Sequence, residues 1–240
     1  MSNNKKMKKF ILIVIFLFST IKAFDRIPFN IGEKLIYDVS FAGIKAGKAF
    51  LEVIDNGDTS NIQIRFVAKT SFPFSTIYSI DDQIDTWLDI KKLHTNKIIK
   101  SINQGNYSKE SETIIDYDNF ISITNNDTIF IKGYVYDPYS LFYVLRTKSL
   151  IIGKTTTINT FTGKKITPIQ IITKSKEKIN TIVGPFDCLV VKPFREGSTL
   201  LKNKGDMMIW FSNDEKRIPI QIRIKLQYGS MLLKINEINL

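Results

Sequence analysis

The chain has 240 residues, 43% of them hydrophobic and 24% charged, with a formal net charge of +11. That is a globular composition, and it excludes disordered, collagen-like and coiled-coil chains. One histidine and one cysteine, with no nucleophile or phosphate-binding motif, leave little from which to build an active site.

At the amino terminus Lys5, Lys6, Lys8 and Lys9 precede an unbroken apolar run from Phe10 to Phe18, followed by Ser19, Thr20, Ile21, Lys22 and Ala23. A membrane span needs about 20 apolar residues, and this run is roughly half that. A basic segment, a short apolar segment and a small residue predict a signal peptide over residues 1–23 and an exported product, in the periplasm or outer envelope of a bacterium. An uncleaved anchor is the alternative, although Lys22 closes the apolar stretch and no second span follows. No cysteine sits at the boundary to carry a lipid anchor. Removing the segment takes five lysines and no acid, which lowers the charge from +11 to +6. The remaining lysines are scattered, which reads as solubility rather than a nucleic-acid face, and leaves a membrane surface open as a partner. Oligomeric state is not legible.

From residue 24 to residue 240 the dominant period is two, with β-branched and aromatic residues alternating with polar ones between Gly, Asn and Asp turns. Strands are predicted at residues 34–41 and 49–54, with a glycine-bounded turn over 42–47, then at 62–70 and 78–88. Asp81, Asp85 and Asp89 share one side of the last of these. Same-side residues on a strand stand nearly 7 Å apart, too far for one cation to gather all three carboxylates, so the reading is a solvated face and no metal site. Phe72, Phe74 and Tyr78 read as core. His94 has no local partner for general-base chemistry and reads as a surface histidine. Further strands follow at 96–103, 107–115, 120–123 and 128–132.

One helix then interrupts the series. Asp137 can cap its first amides, Pro138 suits the first helical position, Leu141, Phe142, Leu145 and Leu150 supply an apolar stripe, and Gly153 ends it. It is expected to plug or cover one face of the sheet. Tyr139, Tyr143 and Arg146 share another face by their four-then-three spacing, so an arginine flanked by two phenols is the candidate ligand-binding set, for a phosphate or carboxylate. The structural alternative is an ion pair locking Arg146 to the sheet, with Asp81 or Asp85 as the acid. Strands resume at 155–161, 165–173, 178–182, 188–194, 207–211, 218–226 and 230–238. Cys188 sits in one of them and reads as a small core hydrophobe. The expected fold is mainly β: a large curved antiparallel sheet forming a sandwich or partial barrel, with one short helix, in a single domain over residues 24–240.

Three stretches carry a resemblance. They are Ile31-Gly32-Glu33-Lys34-Leu35-Ile36-Tyr37-Asp38-Val39 with Ala46-Gly47, then Asp137 with Leu141-Phe142-Tyr143-Val144-Leu145-Arg146, then Ile209-Trp210-Phe211-Ser212-Asn213-Asp214 with Arg217-Ile218-Pro219-Ile220. Together, in this order, they resemble the exported bacterial proteins of the domain of unknown function 3108 family. The resemblance implies a β-rich envelope protein and carries over no catalytic or binding residue. The resulting expectation is a non-enzymatic envelope protein, without cofactor, that holds a lipid, a lipoprotein acyl chain or other amphipathic ligand in its concave sheet. A structural or glycan-interacting module is the second reading, and a hydrolase the third.

Overall fold

The computed structural model describes residues 27–195, 205–227 and 229–240; the expected signal peptide lies outside them. The strands are β1 (Lys34–Phe41), β2 (Ile44–Ile54), β3 (Asn61–Thr70), β4 (Asp81–Asp89), β5 (Thr95–Gln104), β6 (Tyr107–Asp116), β7 (Ile121–Thr124) and β8 (Asp127–Phe130), then β9 (Thr155–Phe161), β10 (Ile166–Thr181), β11 (Gly184–Phe194), β12 (Asp206–Ser212), β13 (Pro219–Leu226) and β14 (Gly229–Asn239). Two short helices, α1 (Phe74–Ile77) and α2 (Leu141–Arg146), lie in the β3–β4 and β8–β9 connections.

All fourteen strands belong to one sheet, in the order β8-β7-β6-β5-β4-β3-β2-β1-β14-β13-β12-β11-β10-β9. Each half of the chain is a meander, and pairing of β1 with β14 joins the two halves. Every neighbour is antiparallel, so the odd-to-even turns, such as β1–β2, β5–β6 and β13–β14, fall at one end, called here the rim. The even-to-odd turns fall at the other. Alternation sets the inner face: Leu35, Tyr37 and Val39 of β1 stand opposite Leu51, Ala49 and Gly47 of β2. Lys34 and Glu52 pair on the outside at 3.5 Å.

The sheet curls until its two ends are joined, not by strand pairing but by a turn contact and a strap. Bulges at Ile36/Tyr37, Val39/Ser40, Trp87/Leu88, Thr173/Ser175 and Trp210/Phe211 bend the strands toward closure. At the rim, Thr124 at the end of β7 donates its hydroxyl to the Gly163 carbonyl in the β9–β10 turn at 2.8 Å. At the opposite end the strap from Ile131 to Asp137 bridges the seam. The Val135 carbonyl accepts from the Thr95 amide at 3.0 Å, the Tyr136 amide donates to the Asn159 carbonyl at 3.0 Å, and the Phe161 amide donates to the Tyr136 carbonyl at 2.8 Å. Ile84, Ile98, Ile115, Ile131, Val135 and Phe161 fill the space under the seam, separate from the larger core around Leu35, Leu51, Val190 and Phe211. Each such side chain contributes roughly 1.5–3 kcal/mol on full burial.

Of the two architectures expected, the partial barrel is the one formed, because hydrogen bonding passes from strand to strand without the break a sandwich needs. Residues 165–173 and 178–182, expected as two strands, are the single strand β10, which continues through a bulge at Lys174. The first turn is shorter than expected. Ala42 and Gly43 take positive φ (49° and 83°), and β2 begins at Ile44. The main helix is confined to six residues, and α1 was not foreseen because four residues show no helical period.

Gly47 is a fixed point of this geometry. A Cβ there would stand 2.0 Å from the Lys69 carbonyl oxygen of β3, an impossible contact against backbone. Gly47→Ala is expected to force β2 and β3 apart at a cost of about 1–3 kcal/mol, read as a lower urea midpoint with unchanged slope. An unshifted midpoint would show that the strands have room to separate freely.

Candidate functional site

On the inner face near the rim, small residues stand side by side. Ala49 of β2 faces Ala68 of β3, Gly47 faces Thr70, and Ala46 is buried beside them. Side chains this small leave the space above them unfilled, and the result is a cavity of about 430 Å³. Val39, Phe41, Phe66, Leu226, Met231 and Leu233 complete its walls. A cavity with such a lining binds little water and offers its surface to hydrocarbon. Its volume lies within the range of about 300–1,000 Å³ typical of small-molecule sites.

The β3–β4 connection covers part of it. Phe74 and Tyr78, at either end of α1, line the cavity with Ile80, and the Phe74 ring centroid lies 6.1 Å from that of Phe41. The Ser71 amide donates to the Ala46 carbonyl at 2.9 Å and the Gly105 amide to the Ser79 carbonyl at 2.8 Å, which anchors the segment at both ends. Expected as core, Phe72 is instead 82% exposed, and Tyr78, although it lines the cavity, is 45% exposed. Alternation failed here because the segment is a crossing turn, not the start of β4.

Beside the apolar walls the inner face turns polar. Asp82, directly across from Ala68, is buried and accepts hydrogen bonds from the Asn103 amide at 3.0 Å and from Gln104 Nε2 at 2.6 Å. Burial raises its carboxyl above the usual range, against those two hydrogen bonds. Lys100, across from Ile84, has its ammonium 5.9 Å from the Tyr139 ring centroid, and burial lowers its pKa. Tyr139 in turn packs on Phe66 at 5.0 Å between centroids, with its hydroxyl pushed up to about 12 by burial. One interior thus carries hydrocarbon walls and a neighbouring polar wall.

The arginine predicted from sequence sits at the other end. Arg146 closes α2, and its Nη1 and Nη2 donate to Glu33 Oε1 and Oε2 at 2.5 and 2.8 Å. Nη2 also donates to the Pro28 carbonyl and Nε to the Lys216 carbonyl, both at 2.9 Å. Both side chains of the pair are at most 1% exposed. Tyr143 packs edge-on against Phe29 at 4.8 Å, and the guanidinium lies 5.2 Å from each of these rings. The partner is therefore Glu33, not Asp81 or Asp85, because α2 docks where β1 begins. Nor do Tyr139, Tyr143 and Arg146 share a helix face. Asp137 accepts from the Tyr139 and Ser140 amides at 2.8 and 3.2 Å and holds Tyr139 in a turn before the helix starts at Leu141. Tyr139 goes to the interior, while Tyr143 and Arg146 are sealed at the closed end. Glu33 was the residue missed. It lay in the first motif with its charge opposite to that of Arg146 in the second, and the third motif meets them too: Arg217 donates to the carbonyls of Arg146 and Lys148.

The three β4 carboxylates have separate tasks. Asp81 pairs with Lys69 at 3.0 Å on the surface. Asp85 is buried, not solvated, and accepts from Arg65 Nε at 2.7 Å, Gln63 Nε2 at 2.9 Å and Gln83 Nε2 at 2.7 Å. Asp89 accepts from the Lys91 and Lys92 amides at 3.0 and 2.6 Å and so shapes the β4–β5 turn. His94 is buried rather than superficial. Its ring stands 4.4 Å from both Tyr117 and Tyr134, edge-on to the first and stacked on the second, and burial lowers its pKa. Cys188 is fully buried, its thiol pushed up to about 12 by desolvation, and acts as a core residue.

A family model described as "Protein of unknown function (DUF3108)" matches residues 36–236. No curated protein matches the chain significantly. Among solved structures, a β-barrel-like protein of domain of unknown function DUF1849 from Brucella abortus is similar with a TM-score of 0.62 at 13% identity, covering 88% of this chain and 98% of that one. The hypothetical protein CT021 from Chlamydia trachomatis aligns with a TM-score of 0.40 at 9% identity, over 88% of this chain and 87% of that one. The first of these supports the barrel-like fold.

Two outcomes are expected at the closed end. Arg146→Met strands the buried Glu33 carboxylate and should cost about 3–5 kcal/mol, whereas Arg146→Met with Glu33→Leu should recover much of the loss; equal losses in both variants would deny the pair its structural role. For His94, the folded pKa lies below the ordinary 6.5. The folded protein therefore binds fewer protons than the unfolded chain between the two values. Its contribution to stability is complete above pH 6.5 and fades as pH falls through the folded pKa. Urea midpoints measured across that window should drop more for the native protein than for His94→Phe. Parallel pH profiles would mean that His94 titrates alike in both states.

Proposed function

Taking as premise that the chain belongs to the DUF3108 family, we propose that it is a non-enzymatic binding protein of the bacterial envelope that holds a lipid or other amphipathic ligand inside its barrel. The observation that carries this reading is the apolar cavity between β1, β2, β3, β13 and β14. The polar wall formed by Asp82 of β4 and by Lys100 and Gln104 of β5 lies one and two strands beyond β3 on the same inner face, about 5–10 Å at the usual strand spacing. A molecule with an acyl chain and a polar end matches both surfaces at once. Export is supported by the amino-terminal segment: four lysines, a nine-residue apolar run and Ala23. The non-enzymatic reading is supported by the arrangement of the polar groups. Asp82 already accepts one hydrogen bond on each oxygen, from Asn103 and Gln104, with no nucleophile beside it among the described residues, and His94 stands at the far end between two tyrosines.

Purified protein extracted with organic solvent should release lipid in near-stoichiometric amount by mass spectrometry. Ala68→Phe places a ring in the cavity, and this variant should release at least about tenfold less while keeping its stability to urea within about 1.5 kcal/mol of the native protein. Lipid retained at native levels by folded Ala68→Phe protein would mean that any bound lipid lies elsewhere.

A further inference from the structure

Around the cavity mouth the fold leaves large apolar side chains in water. Phe72 and Ile77 are each 82% exposed, and Ile44, Tyr107 and Tyr78 are 65%, 55% and 45% exposed. The topology gathers them. Ile44 follows the β1–β2 turn, Phe72, Ile77 and Tyr78 belong to the β3–β4 connection, and Tyr107 opens β6 after the β5–β6 turn, all at the rim. The Ser71–Ala46 and Gly105–Ser79 hydrogen bonds tie these three segments to one another. Isolated apolar side chains on a surface are ordinary, but a cluster on one side of an apolar cavity marks an interaction site.

The charge around this cluster selects the partner. Lys45, Lys48, Lys109 and Lys225 are exposed on the same turns and strand ends, and none is within ion-pair distance of a carboxylate among the described residues. Lys69 and Asp81 neutralise each other, as do Lys192 and Asp206 across from Lys225, which leaves Glu110 and the half-buried Asp38, across from Lys48, as the acids set against the four lysines. The local surface is therefore apolar at its centre and positive at its edge. A second copy would bring like charges together at that edge, whereas an anionic bilayer meets it with opposite charge.

We propose that the rim docks on an anionic lipid surface, with Phe72 and Ile77 entering the acyl region and the four lysines lying among the headgroups. The cavity mouth then opens directly onto the membrane, and an acyl chain can pass between bilayer and barrel without crossing water. This deepens the lipid-binding reading by naming the source of the ligand. Docking itself depends on the outer surface, not on the cavity.

The test is flotation of the purified protein with vesicles of phosphatidylcholine alone and vesicles of equal parts phosphatidylcholine and phosphatidylglycerol. Binding is expected to the mixed vesicles, weakening with added salt. Phe72→Ser with Ile77→Ser should lower partitioning about 100-fold, since each side chain contributes roughly a factor of ten or more on burial. Both positions are exposed, so the variant should fold, and an unchanged urea midpoint verifies that. Ala68→Phe protein should float as well as native, which separates failure of docking from failure of the cavity reading. Absence of binding to the mixed vesicles overturns the proposal, as does binding unaffected by the double replacement. Concentration-dependent dimerisation abolished by the same replacement also overturns it, by assigning the patch to a second copy.

Discussion

The ion pair between Arg146 and Glu33 holds the closed end of this barrel together. It joins three places far apart in sequence: the entry to β1, the helix α2 and the β12–β13 turn, through Glu33, Arg146 and the Lys216 carbonyl. A pair this deeply buried gives back little net energy once desolvation is counted, and its value lies in specification. Glu33 without Arg146 would be a bare charge in a hydrocarbon interior. The chain therefore has strong reason to bring α2 to this position and no other. Each of the three sequence stretches that carry the family resemblance sends residues here, while Val39, Ala46 and Gly47 of the first also line the cavity.

With one end sealed, the seam of the curled sheet becomes the next constraint. The strap from Ile131 to Asp137 lends its backbone groups to Thr95 on one side and to Asn159 and Phe161 on the other, and Thr124 reaches Gly163 at the rim. These contacts keep the strands curved around an interior that the side chains do not entirely fill. The unfilled part lies where Ala46, Gly47, Ala49 and Ala68 face inward. A cavity bounded by fixed backbone cannot collapse as a soft loop would, so the missing volume persists as a site.

How much of this could be read from the chain follows from the range of each interaction. Strands were legible because alternation is local: β1, β5, β9 and β14 lie within two residues of their expected positions. β10 was split because a bulge at Lys174 interrupts the period without interrupting the pairing. Arg146 was legible as a residue of interest, but its partner is 113 positions away, and no local pattern chooses Glu33 over Asp81 or Asp85. A ligand space in the concave sheet is what the sequence leads one to expect, but its place was illegible, since it is made by what three alanines and a glycine lack, and small residues in strands carry no signal of absence. Phe72 and Tyr78 were misplaced because hydrophobic residues predict burial only where the backbone is regular.

The central claim is that the space beside those alanines receives hydrocarbon, and the alanines are themselves the probes. Described alanines occur at positions 42, 46, 49 and 68; the last three line the cavity and the first lies on the β1–β2 turn. Protein carrying ¹³C-labelled alanine methyl groups can be titrated with a lysophosphatidylglycerol below its micelle concentration while the methyl spectrum is recorded. Saturable shifts of the Ala46, Ala49 and Ala68 methyls, with intermolecular contacts to acyl protons, are the predicted result. Methyls at these three positions that stay unmoved at saturating lipid would contradict the account.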